Sequence, residues 1–266
     1  MIYVMSDIHG NLRRFRSIME QIDLQPEDTL YVLGDVIDRH PHGIEILEEI
    51  MDTPNIKMLM GNHEYMMLNA LYPYLDGLPW KREHSHRDLD LWFRNDGEVT
   101  FEAFNALPNS RKERIFDFLR RLPLSYDVEI DRGDEGIEHF KLVHAMPPEL
   151  YSSYGRSKYP NEYAFSVWKR DFDFSRLPRG YTLVYGHTPT YMYSDSVVLS
   201  MCENKEGTAI AIDCGSGFDD TISDHFPFQG RLGCLRLDDM QEFYSEEESI
   251  VLDLSEEELR QDFLNA

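Results

Sequence analysis

Apolar residues along this chain gather into six short runs of strand length, at 2–5, 30–33, 56–60, 140–143, 183–185 and 209–212, and each runs into a polar or glycine-bearing stop. Between the first two runs, Leu12, Phe15, Ile18, Met19 and Ile22 recur at helical spacing, with Asn11 placed to cap that helix. Between the second and third, Ile44, Leu47 and Ile50 or Met51 share one face of a helix over 43–51. The opening therefore predicts β-α-β-α-β, a sheet built with helical crossovers.

The pattern changes over residues 76–122. Leu89, Trp92 and Phe93, then Phe101 and Phe104, then Ile115, Phe116 and Leu119 predict two or three amphipathic helices, an insertion or cap rather than a separate domain. Near the end, acidic runs at 245–248 and 255–258 read as a solvated turn and a helix N-terminus. There is no repeat, low-complexity tract or long linker, so periodicity supports one α/β domain over 1–266.

Composition narrows the partners more than the fold. With 49 acidic against 26 basic side chains, the formal charge is -23, a field that repels nucleic acid and anionic membranes. A hydrophobic share of 42% suffices for a sizeable core. The three cysteines, Cys202, Cys214 and Cys234, show no CxxC spacing and suit a reducing compartment. No signal-like or membrane-length segment is visible, so a cytoplasmic location is expected.

The chemistry lies in how the strands end: SDIHG, GDVIDR, GNHE, VHA, YGHTP and IDCG. In an open α/β sheet the carboxyl ends of strands line one crevice, which lets distant residues converge. Asp7 and His9, two apart, would point the same way from extended chain. Asp35 follows 28 residues after Asp7 and Asn62 another 27, about one strand-helix-strand unit each. Asp, His and Asn donors without thiolate suit divalent manganese, iron or zinc and exclude a closed cysteine zinc site. Taken singly, each motif reads more simply: Asp38 and Arg39 as a surface ion pair, Asp7 and His9 as helix capping, His144 and His187 as ordinary core or loop histidines. His84 and His86 are assigned to a solvated loop, Trp80, Trp92 and Trp168 to core, and Asp213 to a strand end or a supporting position.

The ordered set Asp7-x-His9, Gly34-Asp35-x-x-Asp38-Arg39, Gly61-Asn62-His63-Glu64, His144 and Gly186-His187 resembles the metallophosphoesterase signature. GNHE together with DR resembles its phosphoprotein-phosphatase branch, which includes bacterial serine/threonine protein phosphatases and symmetrical dinucleoside tetraphosphatases. The chain departs from it at His40, Ala145 and Met146, where glycines are usual. The resemblance implies a four-layer α/β/β/α sandwich with the helical insertion over a metal crevice. It implies a phosphoester hydrolase with two divalent metal ions, manganese first, and a bridging hydroxide. Asp35 would bridge the ions, with Asp7 and His9 on the first and Asn62, His144 and His187 on the second. His63 would protonate the leaving group, oriented by Asp38, while Arg39 and Arg170 would hold phosphate. The favoured substrate is a phosphorylated protein (serine/threonine or tyrosine), with a dinucleoside polyphosphate as the alternative and a non-catalytic binding scaffold third.

Overall fold

The computed structural model describes residues 1–71, 85–193, 196, 198–218 and 228–246. Two five-stranded sheets stack face to face, in the orders β10-β9-β1-β2-β3 and β4-β5-β6-β8-β7. In the first, β1 (Ile2–Met5), β2 (Thr29–Val32) and β3 (Ile56–Met58) run parallel, while β9 (Gly233–Arg236) and β10 (Gln241–Tyr244) add an antiparallel edge. In the second, β5 (Ile137–Val143), β6 (Thr182–Tyr185) and β8 (Ala209–Ala211) run parallel, flanked by antiparallel β4 (Ser125–Asp131) and β7 (Cys202–Glu203).

The alternation of side chains across each strand explains the layers. In β1, Tyr3 and Met5 face the helices while Val4 faces the other sheet; in β2, Leu30 and Val32 face helices while Tyr31 points inward. The second sheet mirrors this, with Val184 and Ile210 inward and Leu183, Tyr185, Ala209 and Ala211 outward against Phe165, Leu150 and Leu177. Both faces are covered, which is why these strands read as unbroken apolar runs. Each fully buried Leu, Ile, Val or Phe contributes roughly 1.5–3 kcal/mol, so the three clusters supply the main stabilising term.

The helix α1 (Leu12–Ile22) is capped by the Asn11 side chain, which accepts from Arg14 N at 3.2 Å. With α2 (Gly43–Asp52) and α3 (Asn62–Leu71) it covers the first sheet. The helices α4 (Ser85–Phe93), α5 (Glu98–Asn105) and α6 (Asn109–Leu119) join that layer, burying Trp92, Phe104, Ile115, Phe116 and Leu119 in the same cluster as Met5 and Phe15. Of the proposed insertion, residues 76–84 lie outside the described ones, as does the acidic run at 255–258. His84 and Trp80 lie there too, whereas His86 is exposed in the first turn of α4 rather than on a loop.

Several of the described elements escape the apolar-run reading. β4 is an alternating edge strand, its Val128 and Ile130 buried between exposed acids; β7 is two residues long; β10 is two exposed polar residues followed by two half-buried aromatics. α3 begins inside GNHE, so its first turn looks like a polar stop, while Met66, Met67, Ala70 and Leu71 bury behind it.

Candidate metal centre

All six parallel strands end beside one another, three from each sheet. Their loops are laced by backbone hydrogen bonds: Asp7 N to Gly34 O at 3.1 Å, His9 N to Asp35 O at 2.9 Å, Gly10 N to Val36 O at 2.7 Å and Gly186 N to His144 O at 2.9 Å. Asp7, His9, Asp35, Asp38, Arg39 and His187 all take positive φ, from 52° to 73°. Asp7 and His9 therefore do not sit in extended chain as the spacing argument assumed; left-handed turns aim them. Such conformations cost about 1–3 kcal/mol each and persist only where the surroundings over-determine them.

One surrounding group is Glu64, fully buried and absent from the residues picked out by sequence for a role. Its carboxylate accepts from the backbone N–H of Asp35 (2.9 Å), Val36 (2.9 Å), Ile37 (3.4 Å) and Gly61 (3.1 Å), tying the Asp35 loop to the start of α3. Burial pushes the Glu64 pKa up, and the Asp35 and Val36 donors pull it down. Gly61 permits this approach, since a Cβ there would lie 2.3 Å from Asp35 Oδ1. A second group is Arg14, buried on α1, which donates to the carbonyls of Ser216 (2.8 Å) and Phe218 (3.2 Å). An acid inside a quoted motif and a charged residue on the apolar face of a helix were the available signals for the two.

The side chains converge on one oxygen. Asp35 Oδ1 accepts from His63 N at 2.9 Å, which leaves Oδ2 facing His144 Nε2 at 3.5 Å, His9 Nε2 at 3.8 Å and His63 Nε2 at 3.9 Å. Asp7 Oδ2 is held by Ser6 Oγ and by His187 N at 3.0 Å, while its Oδ1 lies 3.9 Å from His9 Nε2. Asn62 Oδ1 is 3.0 Å from His144 Nε2, and the His144 and His187 rings are 5.0 Å apart. Asp213 is buried among these acids, its carboxyl raised by burial and then by Asp7. All six residues expected to bind metal, with His63 and Asp38, thus lie in one buried cluster.

Second partners decide what each imidazole offers. His9 Nδ1 meets Ile37 O at 3.1 Å and His144 Nδ1 meets Leu33 O at 2.9 Å. A carbonyl only accepts, so Nδ1 carries the proton and Nε2 keeps its lone pair. Burial lowers the pKa of His9, His144 and His187, favouring the neutral form that can bind a cation. His63 differs: its Nδ1 meets Asp38 Oδ2 at 2.6 Å. Burial raises Asp38 to about 8, against Thr100, Trp92 and Arg39, and lowers His63, against Asp35. Burial thus opposes a charge-separated Asp38–His63 pair. Moving the shared proton across the contact changes which residue is charged, yet in either form of the neutral pair His63 keeps a proton on Nε2.

The residues fit a pair of divalent cations. Two groups of three, His9 with Asp35 and His63, and Asp35 with His144 and His187, are compact enough to hold an ion, and they share Asp35. By distance alone His63 takes the place expected for Asp7 in the first group. Among the described residues, the buried Nε2 of His187 has no hydrogen-bond partner. As the Asn62 amide is placed, two acceptors face each other 3.0 Å apart, an arrangement that a cation between them relieves.

The two arginines are placed unequally. Arg39 is half-buried, its N bonded to Asp96 O at 3.1 Å and its guanidinium 5.6 Å from the Phe218 ring centre. A Cβ on Gly217 would lie 2.6 Å from both Arg39 Nη1 and His9 Cδ2, so this guanidinium abuts the His9 side of the cluster. Arg170 is exposed and spends Nη1 on His187 O at 2.7 Å.

Known proteins resemble this chain. A symmetrical bis(5'-nucleosyl)-tetraphosphatase of Acidovorax ebreus is 27% identical over 173 residues, 64% of this chain and 53% of that protein. The chain thus spans about half the length of that relative. Serine/threonine-protein phosphatase 2 of Escherichia coli is 28% identical over 62% of this chain and 67% of its own length. Among solved structures, a provisional diadenosine tetraphosphatase superposes with a TM-score of 0.56 at 15% identity, covering 93% of this chain and 94% of that one, a likeness of fold. The family model of the calcineurin-like phosphoesterases matches residues 1–212, a span that carries all six residues expected to bind metal, and the chain belongs to that family.

Proposed function

We propose that the protein hydrolyses phosphoesters at a centre of two divalent metal ions. The observation that carries this reading is the position of Asp35 Oδ2, within 3.9 Å of three imidazoles and common to both candidate cation groups. Asp7, His9 and Asp35 would hold one ion and Asp35, Asn62, His144 and His187 the other. When bound, such a pair activates water and neutralises phosphoryl oxygens as a Lewis acid. Manganese is our first choice, with iron or zinc compatible with the same nitrogen and oxygen donors.

The chain's own groups supply the rest. Arg39, with no carboxylate on its guanidinium among the described residues, presents a planar fork to phosphate oxygens. Arg170 gives a weaker grip, being partly committed to His187. His63 directs its Nε2 proton to the leaving oxygen, and Asp38 holds the ring in place. His63 is assigned to acid rather than ligand duty because its partner is a carboxyl that can share a proton, whereas His9 and His144 lean on carbonyls.

For substrate, we infer a dinucleoside polyphosphate ahead of a phosphoprotein. The names of the relatives favour the first, and an aromatic group beside Arg39 suits a base-bearing substrate: Phe218 contacts Tyr191, which stacks on Phe228 at 4.9 Å. The Escherichia coli relative keeps the phosphoprotein reading as the second. Metal analysis and turnover of Asp35→Asn test the chemistry: loss of bound metal with at least a roughly 100-fold fall in kcat is expected, and two retained ions with full turnover would refute it. Release of ADP from diadenosine tetraphosphate, measured beside phosphate release from phosphopeptides, decides the substrate.

A further inference from the structure

Trp92 is fully buried on α4, among Phe93, Phe101 and the rest of the helix-layer core. By composition it reads as packing. Yet its indole Nε1 donates to Asp38 Oδ2 at 2.7 Å, the same oxygen that meets His63 Nδ1 at 2.6 Å. A buried indole needs one acceptor, and any spare carbonyl would serve. Here the acceptor is the carboxylate of the acid pair.

The neighbouring chain supports the same residue. Asp38 N donates to Thr100 Oγ1 at 2.9 Å on α5, and Arg39 N donates to Asp96 O at 3.1 Å in the turn between α4 and α5. Gly97 lies against the indole, where a Cβ would come 2.4 Å from Nε1. The segment from Trp92 to Thr100 thus moulds the left-handed Asp38–Arg39 turn from outside the sheets.

From this geometry we propose that Trp92 is a positioning residue for the acid pair: its N–H fixes the Asp38 carboxylate in the plane that presents Oδ2 to His63. The helices following α3 then take part in the chemistry as well as in packing. The rate effect rests on His63 as proton donor; the hydrogen-bond effect rests on geometry alone.

The test compares wild type, Trp92→Phe and His63→Asn as full-length, metal-loaded protein, using phenyl phosphate, a poor leaving group, and nitrophenyl phosphate, a good one. A general acid matters most for the poor leaving group, so His63→Asn should lose about 100-fold or more on phenyl phosphate, and Trp92→Phe about tenfold there but less than about twofold on nitrophenyl phosphate. An equal loss on both, or none, overturns the rate claim for Trp92 when His63→Asn shows the expected split. A His63→Asn variant with no split removes the acid reading instead. The proposal is then decided by NMR of the zinc-loaded protein, where Trp92→Phe should broaden the His63 Nδ1–H resonance and speed its exchange with solvent. An unchanged resonance overturns the proposal. Should Trp92→Phe fail to fold, benzothienylalanine at position 92 keeps the bicyclic volume and removes only the N–H, with the same outcomes required.

Discussion

The two sheets furnish the cluster in different ways. The half carried by β1, β2 and β3 is held by side chains: Glu64 grips the Asp35 loop, while Trp92 and Thr100 grip Asp38. The half carried by β5, β6 and β8 is held mainly from outside: His144 leans on Leu33 O, His187 is gripped by Asp7 Oδ2 and Arg170, and its Nε2 has no hydrogen-bond partner among the described residues. The first half is organised by the fold itself. The second would have its polar demand completed by the proposed metal, as buried polar atoms require partners.

That contrast can be broken at its strongest point. Glu64→Ala should strand four buried backbone N–H groups, costing roughly 3–5 kcal/mol, with a large fall in melting temperature and loss of both ions. Unchanged melting would show that the Asp35 loop is held otherwise. His187→Ala should have a smaller, one-sided effect: metal analysis falls from two ions toward one while the fold persists, and the rise in melting temperature on adding metal shrinks. Retention of two ions would remove His187 from the second group. Smallest, Arg39→Ala should raise KM about tenfold with little change in bound metal, because the proposed role of the guanidinium is to meet substrate and no carboxylate among the described residues holds it. Steady-state kinetics with unaltered KM would take Arg39 out of the phosphate path.

The layers were legible because strands buried on two faces leave unbroken apolar runs, and β1, β2, β3, β5, β6 and β8 all begin or end within a few residues of those runs. β4 and β10 were not, since an edge strand half in water mixes polar and apolar positions and leaves no unbroken apolar run. α3 was hidden by the density of functional residues in its first turn, where His63 and Glu64 mask the start of an apolar face. In the site, the motif order named the converging residues, but not Glu64's grip on four amides, Arg14's hold on the 216–218 carbonyls or the indole on Asp38. Apart from the Gly61–Glu64 bond, three residues in span, those contacts join residues 27 to 204 apart along the chain, and nothing local records them.

Residue order alone therefore determined which donors this protein owns and that strand tips would carry them, because hydrophobic periodicity and covalent spacing are local properties. Which nitrogen of each histidine faces the centre, which carboxylate is shared and which shares its proton with an imidazole were decided only by folding. Each depends on a second partner brought in from a distant element, and burial then sets the charge that the group can keep.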